Sequence, residues 1–191
     1  MHKLEERILR DGRALNQEVL LVDSFLNHQV DPELMADIGR EFAELVKDLG
    51  VTRVATIESS GIAPAQMTAL ELKVPMVIMK KSNSRILEGA MQTEVFSFTK
   101  GKKYQLTVKP EFIKKGDRVL LVDDFMANGE AAMGAARLIE HAGAEVAAIG
   151  IVIEKSFQPG RGLLEGKGYR VFSLARVAAM SEGNISFVSE K

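Results

Sequence analysis

The chain of 191 residues contains no cysteine. Disulfides, thiolate metal sites and cysteine nucleophiles are therefore excluded. No apolar run approaches the roughly 20 residues that a membrane-spanning helix needs. Residues 1–12 alternate charges with aliphatics and lack a signal-peptide core, so a cytoplasmic location is the expectation. Charge of one sign is also missing: 25 Lys and Arg stand against 26 Asp and Glu, for a formal net charge of -1. That balance gives no basis for general nucleic-acid or membrane-surface binding, although a local anion site needs only a few well-aimed donors. No internal repeat, low-complexity tract or linker divides the chain. The residues that are present are 46% hydrophobic and 27% charged. This suits one domain over 1–191 with a buried core.

Periodicity supplies the elements. Leu4, Ile8 and Leu9 recur at helical spacing before Gly12. An extended piece is expected around 18–22. Asp31-Pro32 is a strong helix start, an Asp cap followed by proline at the first helical position. Leu34, Met35, Ile38, Phe42, Leu45 and Leu49 then mark one face, and Gly50 ends the helix. From there the pattern predicts strands over 51–57, 74–79, 118–122 and 146–153, with helices over 62–72 and 129–142. Gly143 sits at a helix C-terminus. Strands that are apolar throughout and alternate with helices imply an α/β fold, a mostly parallel central sheet covered on both faces.

Residues 80–117 break that rhythm. They are polar and lysine-rich, and 95–98 and 104–108 alternate at period two. A hairpin joined through 100–103 is predicted, either a functional flap over about 82–108 or a solvated surface hairpin.

The segment 119–132 carries the chemistry. Four apolar residues end in Asp123 and Asp124, a turn with Asn128-Gly129 follows, and a helix begins. Ligands of open α/β sheets sit at the carboxyl ends of strands. Free amides of such a turn and helix start can hold a phosphate, with the two acids placed to accept hydrogen bonds from ribose hydroxyls. A helix cap or a metal site is the alternative for Asp-Asp alone. A second strand-to-helix turn, Glu58-Ser59-Ser60-Gly61, is built of small residues that let backbone approach an anion; a serine-capped turn is its alternative. Lys80 and Lys81 follow the next strand.

Taken together, 119–132 resembles the phosphoribosyl diphosphate signature of the type I purine phosphoribosyltransferases. Residues 57–64 look like that family's diphosphate loop, and Lys80 and Lys81 like the basic pair that closes over it. One departure is that the family's turn hydroxyls are replaced here by Ala127, Asn128, Glu130 and Ala131. Backbone amides and the Asn128 side chain would then bind phosphate, with the Glu130 carboxylate turned away. Residues 20–29 and 153–160 look like the two parts of the purine pocket in the family's xanthine-specific branch, so the resemblance covers nearly the whole chain.

The resemblance implies a flap, and a small hood built from about 1–30 and 154–191. It implies transfer of 5-phosphoribosyl from its 1-diphosphate to N9 of xanthine, with Asp123 and Asp124 catalytic. Ala127, Asn128, Gly129, Glu130, Ala131, Glu58, Ser59, Ser60, Gly61 and Lys81 would bind phosphoribosyl diphosphate. Leu20, Asn27 and Lys155 would contact the base, and Mg2+ would be held mainly by substrate oxygens. Asn27 offers both a donor and an acceptor to an oxo-purine, and Lys155 a cation to an acidic base. Phe157 is a further aromatic candidate and His28 a structural residue. A homodimer is implied as well. Two alternatives stay open: a purine-responsive regulator that senses phosphoribosyl diphosphate, though no nucleic-acid-binding extension is visible, and specificity for guanine, hypoxanthine or adenine.

Overall fold

The computed structural model describes residues 1–82, 89–97 and 101–189. Residues 83–88 and 98–100 of the expected flap lie outside the described residues, as do 190 and 191. The chain opens with α1 (His2–Asp11), the short strands β1 (Arg13–Ala14) and β2 (Leu20–Leu21), and a single π-helical turn over Asp23–Asn27. Then follow α2 (Pro32–Leu45), β3 (Arg53–Ile57), α3 (Ile62–Leu72), β4 (Met76–Ser82), β5 (Met91–Ser97), β6 (Lys102–Val108), β7 (Arg118–Met126), α4 (Glu130–His141), β8 (Glu145–Lys155), α5 (Gly160–Glu165), β9 (Val171–Ser181) and β10 (Asn184–Phe187).

Among the described residues, eight strands form one sheet in the order β10-β9-β8-β7-β3-β4-β6-β5. The five central strands are parallel, and β10, β6 and β5 add antiparallel edges. One face is covered by α1, α2 and α3 around Phe42, Ile38 and Val122, the other by α4 and α5 around Leu121, Ile139 and Leu164. Val119, Leu120, Leu121 and Val122 of β7 are completely buried. Each contributes about 1.5–3 kcal/mol, and a slip of one residue would exchange the faces of all four. The position of Asp123 is thereby set by its apolar neighbours. No helix among the described residues is long and apolar enough to cross a membrane.

Asp31 caps α2 as expected, its side chain accepting from the amides of Glu33 and Leu34 at 3.1 Å each. The α2 helix stops at Leu45, and a 3-10 turn carries the chain to Gly50, which is left-handed at φ +60. Val46, not Leu45, therefore takes the buried position, and Leu45 is exposed. Leu9 is exposed too: only Leu4 and Ile8 of α1 face the core. Three strands run longer than the periodicity indicates, because neighbouring strands keep pairing with them. Pairing of Met126 with Glu154 extends β7 past the acid pair, and pairing with Val177 of β9 extends β8 to Lys155. Pairing with β6 draws Lys80 and Lys81 into β4, so they do not follow it.

The hairpin over 91–97 and 102–108 is no solvated appendage. Val95 and Leu106 are buried, and β5 lies on α4 where Gly134 leaves room for it: a Cβ at Gly134 would overlap Val95 Cγ2. Arg137 of α4 donates to Thr93 Oγ1 at 3.2 Å and to the Glu94 carbonyl at 3.0 Å.

Candidate active site

Parallel strands that all point the same way gather their carboxyl ends on one edge, and β3, β4, β7 and β8 bring four chain segments together there. Asp123 and Asp124 lie within β7 and not beyond it. Asp123 is buried, and its Oδ1 accepts from the Asp124 amide at 3.1 Å. Burial pushes the Asp123 carboxyl well above the ordinary range, and the negative charge of Asp124 adds to that. Burial also raises Asp124. Lys81 opposes both shifts, so it is the cation that faces the pair.

The turn after β7 comprises Ala127, Asn128 and Gly129. Gly129 has φ +81, a left-handed conformation that only glycine adopts without strain. Gly129 starts α4 without any side-chain cap. The first amides of a helix have no intrahelical acceptor, so those of Glu130 and Ala131 are donors without an acceptor in the helix, at its positive end. The turn thus offers main-chain donors that could hold an anion without any hydroxyl.

The second turn passes directly over the first strand ends. The peptide bond between Glu58 and Ser59 is cis. Gly61, not a serine, occupies the cap position of α3, with no side-chain cap bond. A Cβ on Gly61 would overlap Thr56 Oγ1 and stand 3.0 Å from Asp123 Oδ1. Only glycine permits that approach, and it brings the turn into contact with the acid pair. Thr56 Oγ1 is buried there without a partner among the described residues. Glu58 anchors the turn: its carboxylate accepts from the Lys81 amide and pairs with Lys80 Nζ at 3.5 Å. Lys80 is thus tied to Glu58, whereas Lys81 Nζ lies 5.6 Å over the Tyr104 ring.

Tyr104 escapes a reading of the sequence. Burial pushes its hydroxyl up to about 12, and the charge of Asp123 contributes. The signal was available in the alternation of 104–108, which puts Tyr104 on the face of Leu106 and hence beside Lys81, since Leu106 pairs with Lys81 across β4 and β6.

The base-side candidates are less closely joined. Lys155 ends β8, its Nζ donates to the Glu18 carbonyl and lies 5.7 Å over the Phe125 ring. Burial lowers its pKa from the ordinary lysine value. Leu20 is buried two residues beyond Glu18. Asn27 closes the π-helical turn and is exposed, as is His28; among the described residues no hydrogen bond joins the Asn27 side chain to Lys155 or Leu20. Phe157 is exposed and does not belong to the core. Glu154 does not pair with Lys155; Arg161 takes it, with Nη2 at 2.6 Å. The donors available for a cation are all oxygen, and no cluster of three ligating side chains occurs among the described residues.

The phosphoribosyl transferase domain model matches residues 22–174, a span that contains both turns and the acid pair. Xanthine phosphoribosyltransferase 1 of Clostridium botulinum is 60% identical over 189 residues, covering 98% of this chain and 100% of that protein. The chain belongs to the xanthine phosphoribosyltransferase family. Another member, from Acinetobacter baumannii, is 52% identical over the full length of both chains. Among solved structures, adenine phosphoribosyltransferase of Giardia lamblia complexed with 9-deazaadenine superposes with a TM-score of 0.76 at 22% identity, covering 91% of this chain and 97% of that one. That of Thermoanaerobacter pseudethanolicus gives 0.74 at 21%, covering 91% and 99%. At this identity the likeness speaks for the fold: a central sheet, parallel in its middle, flanked by helices.

Proposed function

We infer that Asp123 and Asp124 form the sugar-binding centre of a phosphoribosyl transfer to xanthine. The protein transfers 5-phosphoribosyl from 5-phospho-α-D-ribose 1-diphosphate to xanthine, giving xanthosine 5′-monophosphate and diphosphate. The observation that carries the site assignment is the acid pair, Asp123 buried and Asp124 half-buried, standing between two main-chain turns, one on each neighbouring helix start. The turn of Ala127, Asn128, Gly129, Glu130 and Ala131 would hold the 5-phosphate. Glu58, Ser59, Ser60, Gly61 and Lys81 would frame the diphosphate, with Glu58 acting as anchor and Lys81 as a cation. As the bond from C1 to the diphosphate oxygen breaks and the bond to N9 forms, positive charge develops on the ribose. Asp123 and Asp124 stabilise that charge and accept hydrogen bonds from the ribose hydroxyls.

The all-oxygen donor set fits Mg2+, which binds phosphates with few protein ligands. Asp123 and Asp124 are the residues that would meet it, and bound there it would neutralise charge on the leaving diphosphate. Among the described residues Lys81 is the cation that offsets the raised acid pair, which suits a metal that arrives with the substrate. Leu20, Asn27 and Lys155 would form the base pocket. They would lie within a hood built from both ends of the chain. The 82–108 segment would act as a flap that excludes water. A homodimer in the cytoplasm is the assembly and location that we propose.

Turnover with phosphoribosyl diphosphate, Mg2+ and each of xanthine, guanine, hypoxanthine and adenine tests this reading. Xanthine is expected to give the highest kcat/KM. Preference for another base would overturn the pocket assignment. Binding of phosphoribosyl diphosphate without turnover on any base would make the protein a sensor.

A further inference from the structure

One buried charged cluster takes no part in the chemistry described above. Glu154 is 1% exposed. Its carboxylate accepts from Arg161 Nε at 3.0 and 3.1 Å, from Arg161 Nη2 at 2.6 Å and from Ser156 Oγ at 2.6 Å, and also from Ser173 Oγ. Burial alone would raise this carboxyl, but the hydrogen bonds from Arg161, Ser156 and Ser173 outweigh it and hold it at about 2. Arg161 directs its remaining donors to Glu165 at 2.7 Å, the Val171 carbonyl at 3.2 Å and Ser173 at 3.1 Å. A guanidinium held at every nitrogen cannot move without breaking several charge-assisted bonds. The first turn of α5 is therefore fixed to β8 and β9.

The residue before Arg161 is Gly160, which lies under the 127–129 turn. Its amide donates to the Ala127 carbonyl at 3.0 Å. A Cβ on Gly160 would overlap that carbonyl oxygen and lie 2.9 Å from the Gly129 nitrogen and 3.1 Å from Met126 Cγ. The contact is reciprocal: a Cβ on Gly129 would stand 3.1 Å from both Cα and O of Gly160. Two backbones touch here with no side chain between them, so the height and tilt of the turn follow the position of α5.

We propose that Arg161 is a positioning residue for the 5-phosphate turn, acting through the backbone of Gly160. The proposal rests on 127–131 being that turn. It makes the strand that presents Lys155 to the base also the mounting of the phosphate cradle, because Glu154 and Lys155 are consecutive and Glu154 is what Arg161 grips.

Three variants test it: Gly160→Ala, Arg161→Lys and, as control, Gly162→Ala, where an added Cβ meets nothing within 4 Å. The readouts are KM for each substrate, kcat, thermal unfolding, and calorimetric Kd for xanthosine 5′-monophosphate against xanthosine, which lacks the phosphate. Gly160→Ala is expected to raise KM for phosphoribosyl diphosphate by about 10-fold or more while KM for xanthine stays within about threefold. The nucleotide's advantage over the nucleoside should shrink by a similar factor. Arg161→Lys should move both quantities the same way, since it keeps the charge but loses the fork, and Gly162→Ala should move neither. If the unsubstituted protein binds nucleotide no better than nucleoside, the turn assignment falls and the proposal with it. If it does prefer nucleotide, and Gly160→Ala keeps that preference or Gly162→Ala loses it equally, the turn stands and the proposal is overturned. A lower unfolding temperature for Arg161→Lys with unchanged phosphate discrimination would also overturn it, leaving Arg161 a role in stability alone.

Discussion

The sugar-phosphate end and the base end of this site are built differently. At the first, Asp123 to Ala131 are nine consecutive positions, and the groups offered are largely backbone amides set by a strand, a left-handed glycine and a helix start. At the second, the Lys155 ammonium meets the carbonyl of Glu18, 137 residues away in sequence, and Asn27 stands on a separate exposed turn. A phosphate is the same in every phosphoribosyl donor, so a local main-chain cradle serves for it. A base must be told from other bases, which takes side chains of different kinds, brought from distant parts of the chain. The contrast teaches that the 5-phosphate cradle is local in the chain, whereas the contacts offered to the base are drawn from distant segments.

Removing charge at the sugar end should have the largest effect. Asp123→Asn and Asp124→Asn are each expected to lower kcat by about 100- to 1000-fold, the scale for losing one group that stabilises transition-state charge. The stability change should run the other way. The native state raises the Asp123 carboxyl, so it binds the proton more tightly than the unfolded chain does. That carboxyl therefore weakens the fold progressively as pH rises from about 4, the unfolded value, up to its raised native value. An asparagine carries no such cost and keeps the acceptor for the Asp124 amide. At pH 7 the Asp123→Asn unfolding temperature should equal or exceed that of the parent, while steady-state assays show the lowered kcat. Wild-type turnover in both variants would remove the pair from the site and dissolve the contrast.

At the base end the effect should be smaller and selective. Lys155→Met is expected to reduce kcat/KM for xanthine by about 10- to 150-fold, the equivalent of a charged hydrogen bond, and to reduce it less for hypoxanthine, which lacks the acidic 2-oxo system. The xanthine preference should weaken as pH falls and the base becomes neutral. It should weaken again at high pH, earlier than for an ordinary lysine, because burial lowers the pKa of Lys155. Kinetics with both bases over roughly pH 6 to 9 read this. Equal losses for the two bases would make Lys155 part of the general machinery and blur the division between the two ends.

The smallest effect concerns the hairpin. Its base is anchored through Val95, Leu106 and the Arg137 contacts, so amides of 91–95 and 104–108 should already exchange slowly without ligand. Any added protection of these peptides on binding xanthosine 5′-monophosphate and Mg2+ should therefore be small. Hydrogen exchange with and without ligand checks this. Large gains in 104–108 would show instead that the anchored base of the flap moves as well.

Much of the phosphate end is legible in the sequence for a physical reason. An apolar run, paired acids, a glycine that must turn left-handed and an amphipathic helix are all short-range signals, and together they located both turns. Even there the strand end was misplaced. Periodicity stops where the side chains become polar at Asp123, whereas the ladder continues to Met126 because β8 still offers partners there. The same cross-strand pairing put Lys80 and Lys81 inside β4. It also separated their roles: Lys80 pairs with Glu58, and Lys81 faces Tyr104 and the acids.

The sequence by itself determined the alternation of strands and helices, the two glycine turns and the acid pair, because each depends on contacts between near neighbours in the chain. The tertiary structure alone decided that Gly61 rides over Thr56 and Asp123, that Tyr104 stands beside Lys81, and that Gly160 braces the turn through Arg161 and Glu154. These contacts join segments that are far apart in sequence but meet at one edge of the sheet. They depend on how closely two backbones approach, and residue order along a single chain carries no measure of that distance.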